Sequence, residues 1–133
     1  MLKKINFLKS FLIMWIAFTL GAVHLLNVSG IFVLSTPDIR IFHLMLMLSI
    51  LFLSKPTFSK LENNVLDNLF TFLIVLTCFL SGFHMIFSWE EIAMSGGDTT
   101  SLDIFAGVVI LFLILEATRR GIGLLLSIIC LIF

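Results

Sequence analysis

From Asn68 to Trp89 the chain runs 22 residues without a formal charge, and that stretch sets the solvent in which it folds. A hydrocarbon core of ~30 Å is crossed by ~20 mostly apolar helical residues, so this is a membrane span, placed over residues 69–89. Ser10 to Thr36 offers 27 uncharged residues and a span over 10–34. Ile41 to Ser54 offers 14, enough for a span over 39–54 when Ile39 and Arg40 lie among the headgroups. Leu102 to Thr118 supplies 17 for a fourth span over 102–118, with Arg119 and Arg120 emerging at its far interface. The remaining Gly121–Phe133 is too short to cross again, and is read as an apolar tail lying on the membrane surface or docking on a neighbour. A single helix from Leu102 to Phe133, ~48 Å long at ~1.5 Å per residue, is the competing path, with Gly121 and Gly123 as its natural break points.

Composition agrees: 60% of the 133 residues are hydrophobic and 12% charged, against ~45–50% and ~25% in soluble domains. The formal net charge is zero and no basic patch exists, which excludes disorder and nucleic-acid binding. Cys78 and Cys130 sit in apolar runs and read as small apolar side chains rather than a disulfide framework. The expected fold class is therefore all-α, one integral membrane domain over 1–133 with about four transmembrane helices. Basic residues set its orientation. Lys3, Lys4 and Lys9 precede span one, Lys55 and Lys60 separate spans two and three, and Arg119 and Arg120 follow span four, while the loop after span three carries Glu90, Glu91 and Asp98. Both termini are expected in the cytoplasm, with Arg40 beside Asp38 the exception on the outer side. The first apolar run is longer than a ~7–15-residue signal-peptide core and lacks a clear cleavage site, so it reads as an uncleaved anchor.

Between Phe58 and Phe70, apolar Phe58, Leu61, Val65, Leu66 and Leu69 recur at helical spacing, with Lys60, Glu62, Asn63, Asn64 and Asp67 elsewhere around the turn. This predicts an amphipathic helix over 58–68 in the cytoplasmic interface, set off from span two by Pro56. Ser95-Gly96-Gly97-Asp98 is a turn cluster, and Thr100-Ser101-Leu102-Asp103 is a capping-box-like helix start. Trp15 and Trp89 suit an interfacial aromatic belt.

The residues that carry chemistry are few. There is no phosphate-binding glycine loop, nucleophile elbow or Cys-x-x-Cys, so the pattern points away from an enzyme and implies no cofactor. His24, His43 and His84 fall at one depth near the outer face, where three imidazoles could bind a metal or relay protons. They lie on separate helices, with no spacing rule linking them and no carboxylate expected at that depth. Interhelical hydrogen bonding is therefore the favoured role and no metal site is assigned. Glu116 stands three residues before Arg119 and four before Arg120, so one carboxylate can pair with either guanidinium. The cluster can anchor the helix end or present donors to a partner or to lipid phosphates. Arg40 and His43 share a helix face at the opposite interface. The first three spans hold no charge at mid-depth, which makes a solo ion-coupled carrier a poor reading and an accessory subunit a reasonable one.

Two stretches resemble a known family. Asp103-Ile-Phe-Ala-Gly107, Leu113-Ile-Leu-Glu-Ala-Thr-Arg-Arg120 and Gly121-Ile-Gly-Leu124 look like the amino-terminal membrane region of TRAP (tripartite ATP-independent periplasmic) transporters, more narrowly the TAXI subtype. Arg40-Ile-Phe-His43-Leu44 with Leu51-Phe-Leu-Ser-Lys-Pro56 is similar to that family's second membrane segment. The resemblance runs from about Asp38 onward. It implies a bacterial inner-membrane system in which a periplasmic TAXI-type substrate-binding protein delivers an organic acid to a large membrane subunit driven by an ion gradient, with a small subunit of about four helices bracing it. In TAXI members this small region is usually fused ahead of the large one, whereas here the chain stops at Phe133. The resemblance accordingly fits a separate small subunit or an amino-terminal piece.

The expected assembly residues are Arg40, His43, Glu116, Arg119 and Arg120, and the expected landing surface for the binding protein is the acidic loop with Glu90, Glu91 and Asp98. Membrane lipids are the remaining expected partner. An independent membrane structural protein, oligomerising or binding lipid without transport, is the competing reading. A small autonomous exporter is disfavoured by the missing mid-membrane charge.

Overall fold

A computed structural model describes residues 2–55 and 65–132 of the chain, with side chains from Phe7 onward. All regular structure among them is helical: α1 (Leu2–Val28), α2 (Thr36–Ser54), α3 (Val65–Met94), α4 (Ser101–Gly121) and α5 (Leu124–Ile132). Phe7–Val28 and the whole of α2, α3 and α4 are long and apolar enough to cross a membrane. Residues 58–64 of the expected interfacial helix lie outside the described residues. From Val65 onward the chain already belongs to α3.

Local chemistry explains the helix ends. Asn27 Oδ1 accepts the Leu34 amide at 2.8 Å and ties the 29–35 turn to the end of α1. Ser35 caps α2 by accepting the Asp38 amide, with Pro37 in the first turn where its missing N–H costs nothing. At ~1.5 Å per residue, the 30 residues of α3 span ~45 Å. That exceeds a ~30 Å hydrocarbon core by about 15 Å. The Ser95–Asp98 turn follows as expected, and α4 opens on a full capping box between Thr100 and Asp103.

The competing continuous helix over 102–133 is not what forms. α4 ends at Gly121, and Gly123 adopts φ +130°, a left-handed backbone that glycine tolerates and larger residues resist. The chain then folds back, since Ser127 Oγ donates to the Leu115 carbonyl at 3.2 Å. The apolar tail therefore lies along α4 as a separate short helix.

His24 meeting His43 and His84 meeting Asp103 across short turns set α1 against α2 and α3 against α4 antiparallel, and Phe52 meeting Arg120 near both C-terminal ends sets α2 parallel to α4 and so antiparallel to α3. α2 is the central helix and packs on α1, α3 and α4. Its Met45, Leu46, Leu48 and Phe52 form the core with Cys78, Leu113 and Ala117. A Cβ on Gly82 would sit 2.9 Å from Met45 Sδ, so glycine is what lets α3 approach α2 there.

Outside this apolar core, burial departs from that of a soluble bundle. Ser49, Asp67, Asn68, Thr71, Ser81 and Asp103 are buried, whereas Phe7, Phe18, Leu80, Phe87, Phe105 and Phe112 are exposed. In water this distribution would be costly. In lipid it is the stable one, because hydrocarbon solvates the large apolar side chains and leaves small and polar residues to fasten the helices. The buried polar residues also correct one expectation: Asp67, assigned to the polar face of a surface helix, is 1% exposed.

Candidate functional site

Polar side chains gather at the two ends of the bundle. At the end bearing the acidic loop, the three histidines separate into two unlike sites. His24 and His43 meet between α1 and α2, Nε2 to Nδ1 at 2.7 Å with rings 6° from parallel. One imidazole donates and the other accepts. His43 and Arg40 line one shallow cleft with His24, as their shared helix face implied. His84 instead binds Asp103 Oδ1 through Nε2 at 2.8 Å. A carboxylate therefore does lie at histidine depth, contrary to the expectation. It escaped notice because its partner stands 19 residues away, on the next helix.

Asp103 is 7% exposed and uses both oxygens. Oδ2 accepts the Thr100 amide at 2.8 Å and the Thr100 hydroxyl at 2.7 Å, while Oδ1 accepts from His84. Ser88 Oγ stands 3.5 Å from the same His84 nitrogen. Serine, histidine and aspartate are thus adjacent, but a charge-relay arrangement needs the serine and the carboxylate on different ring nitrogens. Both converge on Nε2, so the trio joins α3 to α4 rather than activating a nucleophile. Above it opens a cleft of about 330 Å³ lined by His84, Ser88, Glu91, Asp98 and Asp103. Glu91 and Asp98 of the expected landing surface line this cleft. Glu90 is exposed and is not part of its lining.

At the other end, Glu116, Arg119 and Arg120 come together as their spacing implied, and both arginines pair at once. Arg119 binds Glu116 through Nε and Nη2, each at 2.7 Å, and Arg120 Nε binds Glu116 Oε1 at 2.8 Å. The two arginines differ sharply in setting. The Arg119 side chain is 41% exposed, whereas the Arg120 side chain is 2% exposed, with its guanidinium 4.9 Å from the Phe52 ring centroid. One carboxylate shared by two guanidinium groups leaves one positive charge, held against an aromatic face.

Asn68 and Thr71 were not singled out from the sequence, although a polar pair three residues apart in an apolar helix was a legible signal. Both are buried. Among the described residues no three His, Cys, Asp or Glu side chains are grouped to hold a metal ion. Cys78 is buried and its thiol lies 3.6 Å from the Met45 carbonyl, while Cys130 is exposed; neither is in a disulfide. No family model, no curated protein and no solved structure matches the chain.

Proposed function

We propose that this chain is the small membrane subunit of a TAXI-type TRAP transporter, either separate or as the amino-terminal region of a larger polypeptide. In this role it braces a large subunit that imports organic acids on an ion gradient. The observation that carries the reading is the end of α4. The Glu-Ala-Thr-Arg-Arg stretch on which the resemblance rests is also where one carboxylate gathers two arginines, one buried and one left outward. An anchored helix end with an outward guanidinium suits a fixed scaffold.

The surfaces left open fit the same role. Over Phe7–Val28, α1 buries no residue, so its flank is free to lie against lipid or further helices. The cleft with Glu91 and Asp98 offers negative charge to a periplasmic binding protein, and the basic end faces the cytoplasm of a bacterial inner membrane. Of the assembly residues, Arg119 and Arg40 are exposed and suited to contacts outside the chain, whereas His43, Glu116 and Arg120 are engaged within it.

The test is purification of the tagged chain from its native membranes in mild detergent, with uptake of candidate organic acids measured in the deletion strain. The reading expects a much larger multi-span membrane protein in fixed stoichiometry, joined to this chain or separate, and loss of gradient-driven uptake. Recovery of the chain only with copies of itself, with uptake intact, refutes it and favours an independent structural membrane protein.

A further inference from the structure

Buried polar atoms without a hydrogen-bond partner concentrate at one place. Among the described residues there are six, and five belong to Asn68 (Nδ2, Oδ1), Thr71 (Oγ1) and Arg120 (Nη1, Nη2). Helix register puts these three residues at one end of the bundle, within about one helical turn of each other. Arg120 lies 17 residues after Asp103, and Asp67 lies 17 residues before His84. Because His84 and Asp103 touch and the helices run antiparallel, Arg120 is level with Asp67 and flanked by Asn68, and Thr71 is level with Glu116. Asp67 has an interaction of its own.

Thr71 is distinctive. Ser49, Thr77, Ser81 and Thr118 each spend their hydroxyl on the carbonyl one turn back. Thr71, fully buried, makes no such bond. A buried polar group left unpaired costs roughly 1–3 kcal/mol, and more when charged, so five together call for a polar guest. The open donors outnumber the open acceptors: two guanidinium nitrogens, an amide nitrogen and a hydroxyl donate, whereas only the amide oxygen and the same hydroxyl accept. The Glu116 cluster keeps one positive charge, which the buried Asp67 carboxylate balances at the same end, so the bias toward an anion comes from the open hydrogen-bond donors rather than from net charge.

We infer that Arg120, with Asn68 and Thr71, forms an anion site at the basic end of the bundle that takes a phosphate group. The two outer guanidinium nitrogens match two phosphate oxygens in a fork that a lysine cannot reproduce. Phe52 lies against the Arg120 guanidinium, and the Glu116 bond to Nε leaves the outer nitrogens for the guest. The phosphate of an anionic lipid and free phosphate share this chemistry. The inference rests on burial and hydrogen bonding alone and is independent of the transporter reading.

The experiment uses the full chain in phosphatidylcholine nanodiscs, with thermal unfolding followed in three arms: phosphatidylglycerol added to the disc, inorganic phosphate added to the buffer, and neither. Stabilisation by phosphatidylglycerol alone supports the site with lipid as the source. Stabilisation by inorganic phosphate as well supports it with free phosphate as the source. No response to either overturns it. Arg120→Gln is expected to weaken the response about tenfold or more in half-saturating concentration, as loss of a charged hydrogen bond implies. Arg119→Gln should leave it within about twofold, because the exposed pair contributes little. Should Arg120→Gln fail to fold, Thr71→Val decides: its hydroxyl has no protein partner, so folding is retained and the response falls severalfold. An unchanged response in Thr71→Val and Arg120→Lys, or occupation of Arg120 by a carboxylate of a co-purified protein, overturns the assignment.

Discussion

Removing the Asp103 carboxylate tests the acidic end most directly, because one side chain there makes three hydrogen bonds. Asp103→Ala loses the bonds from the Thr100 amide, the Thr100 hydroxyl and His84 Nε2. The Thr100 pair lies at a helix start where water can replace the carboxylate, so we assign about 0.5–1 kcal/mol to that half of the capping box. The bond to His84 is charge-assisted and made by a carboxylate only 7% exposed, which is worth about 1.5–3 kcal/mol. The lost negative charge at the helix N-terminus adds about 0.5 kcal/mol. The sum is about 3 kcal/mol. Asp103→Asn retains an oxygen for Thr100 and presents its amide to His84 in the other tautomer, so its cost is about 1 kcal/mol. Equilibrium unfolding in mixed micelles with increasing SDS, read by fluorescence of Trp15 and Trp89, measures both. His84→Phe completes a double-mutant cycle with Asp103→Ala, and the expected coupling is at least ~1 kcal/mol. A loss below ~0.5 kcal/mol in Asp103→Ala, or additive single and double mutants, would refute the argument that this carboxylate joins α3 to α4.

Three further outcomes follow from the packing. Gly82→Leu forces α3 away from Met45, which is 2% exposed and has little room to yield; a destabilisation of about 2 kcal/mol or more in the same unfolding assay is expected, with Gly82→Ala milder. Gly123→Val places a β-branched residue at φ +130° and should cost about 1–3 kcal/mol; because the strain sits at the start of α5 and Ser127 is buried against α4, maleimide labelling of Ser127→Cys, with both native cysteines replaced by serine, should rise, and unchanged labelling argues against a docked tail. With both native cysteines replaced by serine, Asp98→Cys is expected to label from outside intact cells and Lys55→Cys only after permeabilisation. The reverse pattern would invert the orientation read from the basic residues.

Much of the fold was legible because its determinants are local. Uncharged runs measured against bilayer thickness marked the four long helices, and the Thr100–Asp103 cap and the Gly121–Gly123 break were readable from residue type. The Glu116–Arg119–Arg120 cluster was legible for the same reason, since its partners lie within one turn. The histidine sites were not. Whether His24, His43 and His84 would meet one another or a carboxylate depends on how two helices slide past each other, and no spacing within either helix records that register. Asp67 shows a second failure: an amphipathic pattern was read with water as the solvent, whereas lipid reverses which face is outward.

The sequence by itself thus determined that the chain is a set of apolar helices, about where α2 and α4 run, and which end carries the basic charge, whereas α1 ends at Val28 rather than at 34 and α3 extends beyond 69–89 at both ends. The features it determined follow from solvation and backbone conformation, which act residue by residue. Only the tertiary structure decided that α2 is central, that α5 doubles back on α4, that His84 belongs to Asp103, and that of two adjacent arginines Arg120 alone has its side chain inside. Those outcomes depend on antiparallel register and on a glycine-sized approach between helices. Both arise only when separate helices pack, and neither leaves a trace in local periodicity.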